Sequence, residues 1–231
     1  MFENIKNKYI LEMIFQCLKH KRKLKIIKTN KKMLDKLEIT IKDFQVYETL
    51  KKFNEKFSTN IEDLDIKELN LSGKKIGDEG LKFLCEIKFI NLKSLNLHFN
   101  EITNIKLLEH LKLDNLEKLD LSSNKILDIE ILEKIDFKKL KELNLNLNSI
   151  SNIKMLENEK FKDLKELNIG YNKIKDLKIF DNAKFNLELL KLEGFEISND
   201  KIFENINFKD LKVLDLSSTK LSSLNILKNT K

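Results

Sequence analysis

The chain has 231 residues, 41% apolar and 35% charged, with no proline, no tryptophan and five glycines, a length that supports one or two domains and a sizeable core. Collagen-like and proline-rich chains are excluded, as is a phosphate-cradling loop, because neither GxGxxG nor GxxxxGK spacing occurs; Cys17 and Cys85 are too few for a disulfide scaffold or a thiolate zinc site, so the cell interior, cytoplasm or nucleus, is the expected compartment. The formal charge of +7 is uneven: residues 1–60 hold 15 Lys/Arg against 7 Asp/Glu, a net +8, while residues 61–231 hold 29 against 30, a net −1.

Residues 1–60 are predicted to form a basic helical segment. Ile10, Ile14, Cys17 and Leu18 make one stripe at i, i+4, i+7 spacing, with Leu11 and Phe15 beside it. Leu24 and Ile27 continue it, then Met33, Leu34 and Leu37, and a further helix is expected from about Asp43 to Phe57. No apolar run approaches the ~18 residues of a membrane span. The short stretch Tyr9 to Phe15 contains Glu12 and precedes no small-residue cleavage site, so no signal peptide is expected.

The string from Tyr9 to Leu18, with its Ile14-Phe15-x-x-Leu18 core, followed by Leu24, Ile27 and Asn30-Lys-Lys, resembles a degenerate F-box. It lacks the Leu-Pro opening and the tryptophan near Met33. The resemblance implies docking of Ile14, Phe15 and Leu18 on a Skp-type adaptor, as in substrate receptors of cullin ubiquitin ligases. The same helices also suit a plain cap for the domain that follows. Lys19, Lys21, Arg22, Lys23, Lys25 and Lys28, with Lys31, Lys32 and Lys36, face only Asp35 across residues 19–36. Such a patch reads as a solvated face, as a contact for an acidic protein, or as a grip on ribosomal or other RNA phosphate. Aromatic stacking platforms for single strands are missing there.

From residue 61 onward the sequence repeats itself. The pattern L-x-x-L-x-L-x-x-N-x-I opens at Ile66, Leu92, Leu116, Leu140, Leu164, Leu187 and Leu211, spaced 26, 24, 24, 24, 23 and 24 residues apart. Alternation such as Leu119-x-Leu121 is strand-like and puts both leucines on one face. At the ninth position stand Lys74, Asn100, Asn124, Asn148, Asn172, Phe195 and Thr219. Asparagine suits a turning backbone there because its amide both donates and accepts. The three departures predict a less regular first repeat and less regular last two. Phe89, Leu113, Phe137, Phe161, Phe185 and Phe208 recur ahead of the next repeat as an outer spine.

The pattern resembles the leucine-rich repeat family, which implies an α/β solenoid: a curved parallel sheet with a helical or irregular convex side, here spanning residues 61–231 behind an α-helical N-terminal cap. The Ile-x-x-Ile/Leu continuations, such as Ile102/Ile105, resemble short intracellular repeats of the phosphatase-regulator subclass. That likeness leaves a regulatory subunit of a protein phosphatase as an alternative role. The longer first repeat, KKIGDEGLKFLCEIKFINL, resembles the ribonuclease-inhibitor subclass and implies an outer helix. One repeat cannot fold alone: each buried leucine contributes about 1.5–3 kcal/mol, whereas ordering each of its residues costs about 1–2 kcal/mol. Stacking supplies the missing burial. The residues after Leu221 suggest no full capping helix at the far end.

The concave face is the expected contact surface for a protein partner, through His98, Phe99, Asp120, Ser122, Asn144, Asn146, Leu147 and Tyr171. Phe99, Leu147 and Tyr171 read either as anchors in a polar frame or as side chains tucked against the following turn. His98 beside Asp120 and Ser122 suggests acid–base chemistry, but an open surface supplies no oxyanion site, so a binding role and no enzyme activity is expected. His20, His98 and His110 are not spaced for a metal, and no cofactor is expected.

Overall fold

The computed structural model describes residues 41–220 apart from Lys88, Asp176, Ala183 and residues 196–209. The seven predicted strands all form: β1 (Glu68–Asn70), β2 (Ser94–Asn96), β3 (Lys118–Asp120), β4 (Glu142–Asn144), β5 (Glu166–Asn168), β6 (Leu189–Lys191) and β7 (Val213–Asp215). They make one parallel sheet in chain order. Equivalent repeat positions stand opposite one another, Leu69 beside Leu95, Leu95 beside Leu119 and onward to Leu190 beside Leu214. Alternation then sends one leucine pair of each repeat inward. Leu69 and Leu71, Leu119 and Leu121, and Leu190 and Leu192 are all buried.

Helix α2 (Gly77–Glu86) occupies the outer side of the first repeat, as the longer sequence there implied. The next three repeats turn in 3-10 helices at Lys106–His110, Glu130–Glu133 and Lys154–Glu157. Phe89, Leu113, Phe137 and Phe161 are buried behind them. Leu113 interrupts the aromatic stack, and Phe137 meets Phe161 at 6.3 Å between centroids.

Helix α1 (Ile41–Phe57) covers the span expected to be helical from about Asp43 to Phe57. It lays Leu50, Phe53 and Phe57 against the first repeat, all three buried in the one hydrophobic cluster that runs to Phe195. The rings of Phe53 and Phe57 lie 6.2 and 6.1 Å from that of Phe83 on α2. The leucines that a terminal repeat would otherwise expose are thereby covered.

The asparagine ladder joins each repeat to the one before it. Asn124 Nδ2 donates to the carbonyls of Leu97 and Leu121, both at 2.9 Å. Its Oδ1 accepts from the backbone of Asn100 at 3.1 Å and of Ile102 at 2.9 Å. Asn100, Asn148 and Asn172 repeat the arrangement toward Leu71, Leu121 and Leu145. Because each amide reaches backward, Lys74 has no earlier repeat to serve. Its Nζ instead takes the Ser58 carbonyl, just past α1, at 3.1 Å. Phe195 is buried in the place of an asparagine, and the Thr219 hydroxyl turns back to the Leu216 carbonyl. Strand register nevertheless persists through β6 and β7.

Candidate functional site

The face of the sheet opposite the leucines carries the third, fifth and seventh positions of each repeat. At the fifth stand Asn70, Asn96, Asp120, Asn144, Asn168, Lys191 and Asp215. All but Lys191 accept, through a side-chain oxygen, the backbone N–H two residues on. These local turns end the strands and stiffen the face. Asn96, Asp120, Asn144, Asn168 and Lys191 line a shallow trough together with Lys118, Glu142 and Glu166 from the third position.

At the eighth position the backbone is left-handed in all seven repeats: Gly73 (φ 67°), Phe99 (52°), Ser123 (54°), Leu147 (53°), Tyr171 (49°), Gly194 (73°) and Ser218 (58°). Each of the first six donates its N–H to the seventh-position carbonyl of the next repeat, as Phe99 does to Ser122 at 3.0 Å and Leu147 to Gly170 at 3.0 Å. The sheet ladder thus extends beyond the strands and holds this conformation in place. A left-handed backbone costs a side-chain-bearing residue roughly 1–2 kcal/mol. The conformation was legible only in the glycines, Gly73 and Gly194, that share the position.

That geometry separates the two readings of the large side chains. Phe99 is 60% exposed and Leu147 51%, so both project from the rim of the trough. Tyr171, 43% exposed, instead lies against Gly194, where an added Cβ would stand 2.5 Å from its Cδ1. Its hydroxyl meets Ser218 Oγ at 3.2 Å. Between Phe99 and Leu147 stands the small Ser123, which leaves a notch two strands wide, about 10 Å.

His98, Ser122, Asp120 and Asn144 form one hydrogen-bonded chain. His98 Nδ1 lies 2.9 Å from Ser122 Oγ, the Ser122 hydroxyl donates to Asp120 Oδ1, and Asn144 Nδ2 donates to Asp120 Oδ2 at 3.1 Å. Serine, not histidine, sits in the middle, and Ser122 is only 4% exposed. With its one proton directed at Asp120, the Ser122 oxygen accepts from His98, so the imidazole is not the acceptor of the serine proton. The network orders the face.

Asn146 Nδ2 reaches Asn168 Oδ1 and Glu193 Oε2, both at 3.3 Å. Burial, and next the neighbouring Asp215 carboxylate, push the Glu193 carboxyl above the ordinary carboxylate range. Hydrogen bonds from the Ser217 hydroxyl and backbone hold Asp215 below it. Along the second position the charges pair among themselves: Glu117 lies between Lys93 (2.8 Å) and Lys141 (3.5 Å), and Glu188 between Lys165 and Lys212. Sequence reasoning missed Glu142 and Glu166 as members of the face, because charged residues at exposed strand positions are ordinary. Ile14, Phe15, Leu18, Lys19, Lys21, Arg22, Lys23, Lys25 and Lys28 lie outside the described residues. Among the described residues no three His, Cys, Asp or Glu side chains converge on a metal position, and no helix is long and apolar enough to cross a membrane.

Family models described as leucine-rich repeats match residues 65–85 and, in a two-copy form, residues 90–134. No curated protein matches the chain. Among solved structures, internalin C2 of Listeria monocytogenes superposes with a TM-score of 0.53 at 22% identity, over 78% of this chain and 87% of that one. An internalin F of the same organism gives 0.45 at 19%, over 79% and 71%. The ectodomain of a plant membrane receptor kinase from Arabidopsis thaliana gives 0.43 at 21%, over 63% and 20%. The first of these likenesses shows a common fold.

Proposed function

This chain is a leucine-rich repeat protein, and from that premise we propose that it is a protein-interaction scaffold whose partner seats on the trough and its rim, at His98, Phe99, Asp120, Ser122, Asn144, Asn146, Leu147 and Tyr171. The observation that carries the reading is the exposure of Phe99 and Leu147 on a left-handed backbone. Each side chain keeps half or more of its surface in solvent there, and each costs conformational energy that glycine would avoid. Rigid polar turns around exposed apolar anchors are the anatomy of a binding hot spot. Solenoids fix the shape of such a surface and not its ligand, so the partner's identity must come from the surface chemistry.

The F-box-like string supports a finer reading, a substrate receptor that docks a Skp-type adaptor through Ile14, Phe15 and Leu18 while residues 41–57 cap the repeats. Cross-linking in cells with a photoreactive residue at position 123 tests the scaffold reading. A discrete adduct that Phe99→Gly with Leu147→Gly removes supports it, and adducts indifferent to that pair overturn it. Copurification tests the finer reading: loss of a Skp-type adaptor on Ile14→Asp and Phe15→Asp supports it, and recovery of none from the unaltered chain removes it.

A further inference from the structure

The inner face has the opposite charge to the chain that carries it. Over the third, fifth and seventh positions stand six carboxylates, Glu68, Asp120, Glu142, Glu166, Glu193 and Asp215, against two lysines, Lys118 and Lys191, a net of −4 in a protein of +7. Both lysines are already engaged. Lys118 Nζ holds Glu142 at 2.7 Å, and the charge of Lys191 acts on Glu193 and Asp215. Glu68 and Glu166 make no direct salt bridge among the described residues and share the more distant charge of Lys118. At the second position beside them Glu117 and Glu188 each bridge two of five lysines, a flanking net of +3, so the carboxylate excess is confined to the third, fifth and seventh positions.

We propose that the occupant of this face is a lysine- or arginine-rich segment of a partner protein that also carries a leucine- or phenylalanine-type side chain, with the apolar group seated in the notch over Ser123 between Phe99 and Leu147 and the cations meeting Asp120, Glu142 and Glu166. The proposal deepens the scaffold reading and rests on it. Complementary charge steers the encounter and excludes acidic competitors, while the apolar contact holds the complex. The arrangement also disfavours phosphate: a nucleic-acid backbone brought to the trough meets Asp120, Glu142 and Glu166 against Lys118 and Lys191, which already act on Glu142 and Glu193.

Three synthetic peptides of equal length test the proposal against the full chain by titration calorimetry: one lysine-rich with leucines, one with those leucines changed to serine, and one with the lysines changed to glutamate. Only the first is expected to bind, and its affinity is expected to fall about tenfold or more from low to moderate salt. Glu142→Gln with Glu166→Gln is expected to weaken it about tenfold, as is Phe99→Gly with Leu147→Gly. The glycine pair relieves left-handed backbone, so unfolding midpoints that hold or rise separate a binding loss from a folding loss. Equal or tighter binding of the glutamate peptide, still sensitive to the glycine pair, overturns the basic-partner inference and leaves the scaffold reading standing. Binding of any peptide that ignores both pairs overturns both. A salt-sensitive doubling of the protein's own mass in solution, abolished by the carboxylate pair, would make the occupant a second copy of this chain and overturn the inference as well.

Discussion

Asn146 and Glu193 are hydrogen bonded at 3.3 Å although a whole repeat lies between them. The contact exists because the intervening residue at that position is Gly170. One position further on, the construction recurs with Tyr171, Gly194 and Ser218. Each glycine is a gap in one rung through which the rungs on either side touch.

Gly170→Ala closes the first gap. Its Cβ would stand 2.9 Å from Asn146 Nδ2 and from Glu193 Oε2, and 3.1 Å from the Glu193 backbone nitrogen. The side chains can swing aside but the backbone cannot, so a loss of about 1–2 kcal/mol is expected in urea unfolding. An unchanged midpoint would mean that the repeats shift apart freely.

Asn124→Ala should cost considerably more, about 3 kcal/mol or above. The substitution strips partners from two buried backbone N–H groups and from carbonyls on two repeats. Asn70→Ala, which loses one exposed bond to Ser72, serves as the control at about 1 kcal/mol or less. Equal losses for the two variants would count against the ladder as a source of cohesion.

Phe53→Ala tests α1. The ring is fully buried between Phe57 and Phe83, and its removal should cost about 3–5 kcal/mol. Hydrogen exchange should then quicken first in β1 and α2. Uniform quickening to β5 would instead indicate that the array unfolds as one unit.

Glu193→Gln should stabilise the protein at neutral pH. The native state holds the Glu193 proton more tightly than the unfolded chain does, so its stabilising contribution is complete below the unfolded pKa and is lost as pH rises through the raised native value. Asp215 behaves oppositely, contributing above its unfolded pKa and losing that contribution as pH falls through its lowered native value. A glutamine mimics the protonated Glu193 and still offers Asp215 a hydrogen bond. The variant's thermal midpoint should therefore exceed the parent's at neutral pH and converge with it in acid. Parallel curves would show that the pair is not coupled to folding.

Much of the fold was legible in the residues themselves. Leu119-x-Leu121 states a strand and its buried face, and the 24-residue spacing states that the next strand stands beside it in register. Asn124 states a turn that needs both a donor and an acceptor. Even the outer helix of the first repeat could be read from its extra length. The candidate site was less legible: Phe99, Leu147 and Tyr171 look alike along the chain, yet two project and one lies across its neighbour.

What the sequence determined by itself is the repeat, because burial of one leucine pattern and satisfaction of one amide pattern are local demands met identically in every unit. The tertiary structure alone decided the left-handed eighth position, the serine placed between His98 and Asp120, and the lying-over of Tyr171 on Gly194. Those outcomes depend on contacts between residues about 24 or 47 positions apart, backbone to backbone at the eighth position and side chain to side chain at the others, and a pattern of residue types does not say which neighbour leaves room for which.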